Sequence, residues 1–367
     1  MRVVTRGTVM GWALGSPRWN ADQDLTGRVM RAEGLPAPPA EPALRWRAPT
    51  RDDVPAWQRL LAAVDAAEGH GEVPDDDELA DEFDAAWTDP RRDALFGFDH
   101  EGSLLAFGWV QCTPGAVEVH RVRLWGEVHP RWRGRGLGRF LLAWLEARGR
   151  QVANGLPPRL PSVLEVAAED ALGDRIGLFE RSGFAPVRWF NTMQRDLRTA
   201  ASPHVAVPTG ITIRPWTQDD DEATRIAHNE AFADHWGTTA VELEPWRHSY
   251  TGAGSFRPDL SLLAYDGARL AGYCLGSAYP QDAVRKGYSE GWIDRLGTLP
   301  AVRRRGVGTA LLGAALRTIA DADLDVASLM VDTGNASGAL TLYQRLGFTP
   351  VERIVVFHKP LPRPAAG

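Results

Sequence analysis

The 367-residue sequence has only two cysteines, Cys112 and Cys274, and no long apolar run. The cysteine spacing matches neither a zinc motif nor a disulfide framework, so the chain suits a reducing compartment and we expect a structural role for both residues. No apolar run reaches the roughly 18 residues that a membrane-spanning helix requires, and the first residues lack a convincing secretory core. We therefore predict a cytoplasmic protein with no membrane partner.

The sequence also lacks an excess of positive charge and any metal-binding pattern. Its formal net charge is −6, whereas a nucleic-acid-binding protein usually carries a basic excess. The nine histidines show no spacing such as His-Glu-x-x-His. No Ser-His-Asp or Cys-His arrangement indicates a covalent enzyme intermediate. We predict no nucleic-acid partner and no metal, while monomer and homodimer both stay open.

What the chain does contain is a repeat. The segment RRRGVG at residues 303–308 has a near copy, RGRGLG, 170 residues upstream at residues 133–138, and each copy opens an apolar helical stretch. A chain of this length corresponds to roughly two domains, and AASPHVAVPTG between the halves has linker composition. We predict a leader of open role at 1–43, an N-terminal domain at 44–198, a linker at 199–209 and a C-terminal domain at 210–367.

Each half has the same order of predicted elements. A strand and a helix cap come first, as LRWR with TRDD in one half and ITIR with TQDD in the other. A central pair of strands, the glycine-rich loop, a helix, a strand and a last helix ending in Gly-Phe follow. Strands that flank helices in this order indicate a mixed α/β fold.

The two glycine-rich loops carry the clearest chemistry. At the start of a helix several backbone N–H groups have no intrahelical partner and the helix dipole adds partial positive charge, so main-chain donors can hold a phosphate. A single Gly-x-Gly is more often a simple strand-to-helix turn, but duplication, flanking arginines and a preceding strand favour an anion site. The arginines themselves are interpreted as solvated residues that also offset phosphate charge.

The segments after the loops extend this pattern. The C-terminal half continues with NASGALTLYQRLGF at residues 335–348 and the N-terminal half with ALGDRIGLFERSGF at residues 171–184. Together with the loops, these segments resemble the GNAT superfamily of acyl-CoA-dependent N-acyltransferases, over residues 44–198 and 210–358. Two such domains in one chain are similar to the branch that contains mycothiol synthase. The resemblance implies two tandem domains packed as a pseudo-dimer, with acetyl-CoA as cosubstrate.

In that family the main-chain amides of the loop bind the CoA pyrophosphate, and the strand before the loop supplies an N–H donor for the reacting oxygen. An asparagine near the pantetheine arm matches Asn335, although a turn-forming role for it stays open. The cofactor-binding residues that the resemblance implies are Leu296, Gly297, Thr298, Arg303, Arg304, Arg305, Gly306, Val307, Gly308, Thr309 and Asn335 in the C-terminal half, and Arg133, Gly134, Arg135, Gly136, Leu137 and Gly138 in the N-terminal half.

The catalytic residues that the resemblance implies also lie in the C-terminal half. Tyr343 matches the family tyrosine that protonates the departing sulfur, and packing of the helix onto the sheet is its alternative role. An amine must be neutral to attack a thioester, so a base is required. Asp294 is the expected base with Glu290 behind it, and the two-residue period of a strand would turn both to one side. Asp294 could also pair with Arg295 or cap a neighbouring element.

The matching positions in the N-terminal half have lost this chemistry. Counting 170 residues back from Asp294 gives Leu124, Phe179 stands at the tyrosine position, and Ala171 replaces the asparagine. Leucine cannot accept a proton and phenylalanine cannot donate one. We therefore predict a non-catalytic N-terminal half whose intact loop either binds acetyl-CoA structurally or is a relic.

Acceptor recognition is expected from segments that the two copies do not share. In the C-terminal half these contain Asp234, His235, Trp236, Glu242, Glu244, Trp246 and Arg247. Carboxylates and aromatic rings there suit a cationic or sugar-like amine. A surface helix pair anchored by its tryptophans is an equally good interpretation.

The sequence thus predicts direct acetyl transfer from acetyl-CoA to the amine of a small molecule, in the C-terminal domain. One alternative is mycothiol synthase-like acetylation of a cysteinyl amine. An alternative of another class is a non-catalytic acyl-CoA-binding or sensing protein. Retention of Tyr343 and Asp294 in one half only favours the enzyme.

Overall fold

The computed structural model describes residues 34–40, 42–85, 87–113, 115–116, 118–199, 203–233, 240–334 and 338–362. Residues 1–33 of the predicted leader therefore lie outside the described residues. Among the helices of the described part, none is both long and apolar enough to cross a membrane.

Two compact units make up the chain. Of the described residues, the C-terminal unit contains Ala167–Ile176 and Pro186–Val356, and the N-terminal unit contains residues 34–166, Gly177–Ala185 and residues 357–362. Each unit therefore combines segments from both sides of the predicted linker. The domain bounds inferred from the repeat stay a prediction, since they follow the sequence repeat and not the contacts.

The sheet of the N-terminal unit is antiparallel except at one pair. Strands β1 (Arg45–Arg47), β2 (Ala94–Phe98), β3 (Leu104–Cys112) and β4 (His120–Val128) are neighbours in that order, and β5 (Ser162–Glu169) joins β4 in parallel. The helices of this half of the chain are α1 (Val54–Glu68), α2 (Asp76–Asp84), α3 (Pro90–Asp93), α4 (Leu137–Asn154) and α5 (Gly173–Arg181). Because parallel strands need a crossover, α4 connects β4 to β5.

The C-terminal unit repeats this architecture. Its strands are β6 (Ala185–Asp196), β7 (Ile211–Pro215), β8 (Phe256–Asp266), β9 (Arg269–Ala278), β10 (Glu290–Thr298), β11 (Val326–Asp332) and β12 (Thr349–Pro360). Its helices are α6 (Asp221–Phe232), α7 (Leu243–Trp246), α8 (Pro280–Lys286), α9 (Val307–Asp321) and α10 (Ala339–Arg345). The strand order β6-β11-β10-β9-β8-β7 contains one parallel pair, β10 with β11, which α9 connects. This is the mixed α/β fold that the sequence predicted.

One strand pairing joins sequence from both halves. β6 follows the last helix of the N-terminal half, yet it pairs antiparallel with β11, from Asp196 opposite Val326 to Phe190 opposite Asp332. The edge of β11 is therefore covered by a strand that lies before the predicted linker.

The same side-chain cluster starts each half. Arg47 donates two hydrogen bonds of 2.6 Å to Asp53, and Arg214 donates to Asp220 at 2.6 and 2.8 Å. Each aspartate also closes a capping box with a threonine three residues earlier. Because the Arg214 guanidinium hydrogen-bonds to Asp220, the pKa of that carboxyl falls to about 2. The predicted caps at TRDD and TQDD are present.

Candidate active site

The loop before α9 presents unpaired backbone donors. Gly306 caps the helix with φ +83°, and no side chain caps this end. By position, the N–H groups of Val307, Gly308 and Thr309 in the first turn have no intrahelical acceptor. The aligned peptide dipoles add partial positive charge at the same point. This arrangement fits a phosphate group held by main-chain donors.

The arginines of this loop also hold it in place. Arg303 donates from Nη2 to the Ala231 carbonyl at 2.9 Å and from Nε to the Thr298 carbonyl at 3.5 Å. Arg305 forms an ion pair of 2.5 Å with Asp266. Arg304 lies in the left-handed region with φ +64°. The predicted solvated role is therefore incomplete, because two of the three guanidinium groups brace the loop.

The N-terminal loop has the same geometry. Gly134 and Gly136 have φ values of +76° and +83°, Gly136 caps α4, and Leu137 and Gly138 form its first turn. Arg133 donates to the Val128 carbonyl at 3.3 Å and to Glu68 at 2.6 Å. Both loops therefore expose a helix start of the same form.

β10 and β11 diverge beside the C-terminal loop. Their parallel pairing covers only Glu290, Gly291 and Trp292 of β10. From Ile293 onward the edge of β10 that faces β11 has no strand partner among the described residues, while its other edge pairs with β9 as far as Thr298. Backbone groups along such an opening need other hydrogen-bond partners. The opening leads toward the start of α9 and fits an extended ligand such as a pantetheine arm.

Asp294 lies at a β-bulge in this opening strand. Ile293 pairs with Gly276 and Arg295 pairs with Leu275, so Asp294 is an extra residue without a partner on β9. A bulge of this kind bends the strand and redirects a side chain, and it is common beside active sites. The bulge also interrupts the two-residue period that was expected to align Asp294 with Glu290.

The Asp294 carboxyl is set up to exchange a proton near neutrality. Burial raises its pKa to about 7, and the charge of Arg295 opposes part of that rise. Its Oδ1 atom is buried and has no hydrogen-bond partner among the described residues. A carboxylate with this pKa and an uncommitted oxygen has the properties of a general base.

Tyr343 on α10 is electrostatically linked to the same place. The tyrosine is fully buried, and burial raises its pKa well above the ordinary value, with a further contribution from Cys274. Burial also raises the pKa of the Cys274 thiol to about 12, and Asp294 adds to this rise. Cys274 lies opposite Leu296 on β9. The Cys274 thiol, which sequence reasoning assigned only a structural role, therefore interacts electrostatically with both the predicted acid and the predicted base.

Glu290 occupies a different environment from Asp294. Its carboxylate accepts hydrogen bonds from Lys286 at 2.6 Å, from Gln194 at 2.8 Å, from the Trp292 indole at 2.9 Å and from the Ser328 hydroxyl. Four donors saturate the oxygens of a buried carboxylate. These contacts favour Asp294 over Glu290 as the base.

A histidine–tyrosine pair was missed from the sequence. His228 of α6 is 4% exposed and its Nδ1 lies 2.7 Å from the hydroxyl of Tyr273, which is fully buried. A Cβ on Gly297 would lie 2.3 Å from the Tyr273 ring, so only glycine fits there. No sequence motif links a helix histidine to a strand tyrosine 45 residues later. Only the folded sheet shows that Gly297 also serves this ring.

The predicted acceptor-side residues differ in their placement: some lie outside the described residues, Trp246 is buried, and others are exposed. Asp234, His235 and Trp236 lie outside the described residues, as does Asn335. Trp246 is fully buried and its indole donates to Asp221 at 2.7 Å. Arg247 donates to the same carboxylate at 2.8 Å, whereas Glu242 and Glu244 are exposed. For Trp246 the anchoring interpretation therefore fits better than ligand contact.

The counterpart strand in the N-terminal unit has no bulge. β3 and β4 pair without interruption from Ala106 opposite Val128 to Cys112 opposite Val122, with Leu124 opposite Val110. Aligning the two ladders matches Leu124 with Ile293, so Asp294 has no counterpart at all. Counting residues from the repeat had matched it to Leu124.

The same face of the N-terminal sheet is filled by aromatic rings. Trp57 stacks on Trp109 at 4.9 Å between ring centroids, and it contacts Phe107 at 5.2 Å and Trp125 at 5.1 Å. Phe83 packs edge-on against Trp109 at 5.2 Å. Phe179 packs against Phe357 at 5.8 Å. Phe107 lies at the ladder position that corresponds to Tyr273, so Trp57 and its aromatic neighbours occupy the face that carries Tyr273 in the C-terminal unit.

Comparison with known proteins identifies the family. Residues 57–184 and 221–348 each match the Acetyltransferase (GNAT) family. The chain belongs to this family and contains two GNAT domains. It is therefore an acyltransferase enzyme, as the sequence predicted.

Three relatives show how far the likeness extends. Mycothiol acetyltransferase of Thermomonospora curvata is 33% identical over 244 residues, which are 64% of this chain and 73% of the relative. A GCN5-related N-acetyltransferase from Sphaerobacter thermophilus has a TM-score of 0.67 and 27% identity, covering 88% of this chain and 97% of its own. A tandem GNAT protein from the clavulanic acid biosynthesis pathway has a TM-score of 0.63 over 87% of this chain and 98% of its own, and at 19% identity it shows the fold alone.

Proposed function

We propose that the C-terminal unit transfers the acetyl group of acetyl-CoA directly to the amine of a small molecule. GNAT acetyltransferases use acetyl-CoA and act on amine acceptors, and the relatives point the same way. The observation that carries the assignment is the placement of Asp294 at a bulge, with a pKa of about 7, in electrostatic contact through Cys274 with Tyr343.

The residues present fit acetyl-CoA. The first-turn amides of Val307, Gly308 and Thr309 suit its pyrophosphate, and the opening between β10 and β11 suits its pantetheine arm. The same helix start and glycine geometry occur at Gly136. Calorimetry of Gly136→Glu with acetyl-CoA tests whether the N-terminal loop also binds the cosubstrate.

The transfer then follows from the side chains. Ionised Asp294 accepts a proton from the incoming ammonium, directly or through a water, which frees the nitrogen lone pair to attack the thioester carbonyl. The carbon–nitrogen bond forms as the carbonyl π electrons move to oxygen, where a backbone N–H of β10 stabilises the charge. When the tetrahedral intermediate collapses, the carbonyl re-forms and the carbon–sulfur bond breaks, while the Tyr343 hydroxyl gives its proton to the departing thiolate. The amide nitrogen loses its second proton to water, and water returns a proton to the Tyr343 oxygen.

We further propose that the N-terminal unit is a scaffold. Its strand has no bulge, and aromatic rings fill the face on which Tyr273 lies in the other unit. The two free cysteines support a cytoplasmic location. Similarity to mycothiol acetyltransferase favours a cysteinyl amine as one candidate acceptor.

The test is release of the CoA thiol from acetyl-CoA by the purified protein with a panel of small amines, including cysteinyl-glucosaminyl-inositol. We expect Asp294→Asn and Tyr343→Phe to lower kcat by about 100-fold or more without weakening acetyl-CoA binding in calorimetry. Gly306→Glu should abolish binding at the catalytic site, whereas the matched Gly136→Glu should leave turnover intact.

Two outcomes would contradict the proposal. Binding of acetyl-CoA without turnover of any amine would favour the non-catalytic sensing alternative. Full turnover by Tyr343→Phe would remove the tyrosine from the acid role.

A further inference from the structure

Arg295 is an unusually placed arginine, directly after the bulge residue. Arg295 is only 4% exposed, and burial of a guanidinium is destabilising unless its hydrogen bonds are satisfied. Arg295 donates from Nη1 to the main-chain carbonyl of Asp294 at 2.8 Å. The arginine therefore folds back and fixes the backbone of the bulge that carries the proposed base.

Tyr250 supports Arg295 from another element. The guanidinium carbon lies 4.7 Å from the centre of the Tyr250 ring, and Nη2 donates to the Tyr250 hydroxyl at 3.2 Å. A cation over an aromatic face and a hydrogen bond to the same residue constrain both the position and the orientation of the guanidinium. Tyr250 in turn packs on Trp246 at 4.8 Å.

The segment that carries Tyr250 is fixed at one residue of α6. We call Leu243–Thr251, formed by α7 and the π-helical turn after it, the acceptor-side segment. Trp246, Arg247 and Thr251 of this segment all donate to Asp221, at 2.7, 2.8 and 2.7 Å. Because Asp221 anchors both sides of Tyr250, a displacement of the segment would be transmitted to the tyrosine and then to Arg295.

We propose that Tyr250 and Arg295 are positioning residues that hold the Asp294 bulge and connect it to the acceptor-side segment. The proposal rests on the proposed function for its catalytic consequence, but its structural content is independent of the acceptor. Tyr250 fixes Arg295, Arg295 fixes the Asp294 carbonyl, and the carboxyl of the base follows its own backbone. Entry of an acceptor beside this segment thus acts on the geometry of the base.

The N-terminal unit provides an internal comparison. Arg295 lies opposite Leu275, and the residue at the matching ladder position is Trp125, opposite Trp109. The N-terminal unit, which has no bulge, thus has the Trp125 ring at the position where the C-terminal unit has the Arg295 guanidinium. This difference associates the arginine with the bulge and not with the fold as such.

The charge of Arg295 has a second effect on the base. It lowers the pKa of Asp294, against the larger rise that burial causes. A neutral side chain at position 295 would therefore leave the carboxyl protonated to a higher pH. Tyr250→Phe removes the hydroxyl but keeps the charge of Arg295, so the two variants separate positioning from electrostatics.

The test uses the full-length protein and needs no acceptor. The side-chain carboxyl of Asp294 is titrated by NMR after ¹³C-aspartate labelling, with Asp294→Asn to assign the signal. Arg295→Met should raise the Asp294 pKa by about 1 unit or more, whereas Tyr250→Phe should leave it nearly unchanged. Hydrogen exchange of the β10 amides should become faster in both variants, because the bulge loses its support.

A matched control exists in the same unit. Arg214 lies 4.9 Å from the centre of the Tyr265 ring and donates to its hydroxyl at 2.8 Å, in a cluster at the start of α6. Tyr265→Phe removes the same kind of contact elsewhere, and we expect it to change neither the Asp294 titration nor exchange in β10. With an amine that the wild type acetylates, kcat should fall on the order of tenfold in Tyr250→Phe and remain at the wild-type level in Tyr265→Phe.

The outcomes separate the two levels of inference. Unchanged β10 exchange in Tyr250→Phe would overturn the positioning proposal even if the enzyme acetylates amines. An unchanged Asp294 pKa in Arg295→Met would overturn the electrostatic effect assigned to Arg295. If the NMR titration and the hydrogen exchange change as expected but the protein acetylates no amine, Tyr250 and Arg295 still position the Asp294 bulge and the proposed function is rejected.

Discussion

At the residue scale, the raised pKa of Asp294, the proposed base, has a cost in stability. A carboxyl in water ionises near pH 4, whereas burial shifts that of Asp294 to about 7. A folded-state pKa above the unfolded value means that the folded protein binds the proton more tightly. The contribution of Asp294 to stability is therefore largest at low pH, declines as the pH rises from about 4 to about 7, and remains low above that range.

This shift predicts a pH-dependent gain of stability in Asp294→Asn. Asparagine never ionises, so the variant avoids the cost of burying a charge. Relative to the wild type, the free energy of unfolding of the variant should be higher at pH 8 than at pH 5. The change in this difference between the two pH values should be about 2 to 3 kcal/mol. Urea unfolding at the two pH values measures it. A difference that is the same at both would show that Asp294 titrates normally.

The sequence identified some of these residues for reasons that the structure makes clear. Asp294 and Tyr343 were proposed as site residues because Asp294 lies on the strand before the glycine-rich loop and Tyr343 matches the family tyrosine of the last helix. Cys274, His228 and Arg295 were not found as site residues, since their roles depend on contacts between elements that are distant in sequence. The sequence shows which residues lie near a motif, but it does not show which side chains meet across the sheet.

At the element scale, the two helix starts differ at a single strained position. Arg304 has φ +64° where the N-terminal loop has Gly134 with φ +76°. A residue with a Cβ pays about 1 to 2 kcal/mol in this region, and glycine does not.

Opposite substitutions at these two positions should have opposite effects. We expect Arg304→Gly to increase the free energy of unfolding by about 0.5 kcal/mol, because relief of strain exceeds the entropy cost of glycine, and Gly134→Arg to decrease it by about 1 kcal/mol. Denaturant unfolding of the two variants measures both. A decrease in both variants would mean that the Arg304 side chain contributes more to the loop than its strain costs.

The bulge shows why a repeat count fails at this scale. A count of 170 residues assumes that both copies have equal strands, yet β10 has one residue more than β4 between matching ladder positions. The sequence predicted the order of elements and the two helix starts, because helices and strands follow the hydrophobic period and each helix start is marked by glycine. Strand register depends on pairing with β9, which the local sequence of β10 does not encode.

At the scale of the whole molecule, the N-terminal unit contributes stability through its aromatic core. Trp57 is fully buried, and four aromatic rings lie within 5.5 Å of its ring, measured between ring centroids. Trp57→Ala should lower the free energy of unfolding of this unit by about 3 to 5 kcal/mol, while kcat per folded molecule remains unchanged. Calorimetric melting and thiol-release kinetics measure the two quantities, with Trp57→Phe as the milder control. Loss of kcat in a fully folded Trp57→Ala protein would contradict a scaffold role.

The position of β6 determines where a C-terminal fragment that folds by itself must begin. The repeat placed the domain start at residue 210, but β6 supplies a seven-pair ladder to β11, and Arg188 binds the buried carboxylate of Asp332 at 2.7 Å. A fragment of residues 210–362 would lose both. It would expose the unpaired edge of β11 and leave Asp332 buried without its arginine, and each change promotes aggregation or unfolding.

We therefore expect the fragment 185–362 to be soluble and to unfold cooperatively, and the fragment 210–362 to aggregate. The fragment 199–362 is the control, because it restores the linker without β6 and should behave like 210–362. Size-exclusion chromatography and thermal unfolding distinguish the three. Cooperative unfolding of 210–362 would instead support the domain bounds drawn from the repeat. The expected result would show that the folding unit begins at a strand which the sequence repeat assigns to the other half, because ladder pairing, and not repeat order, decides where β11 finds its partner.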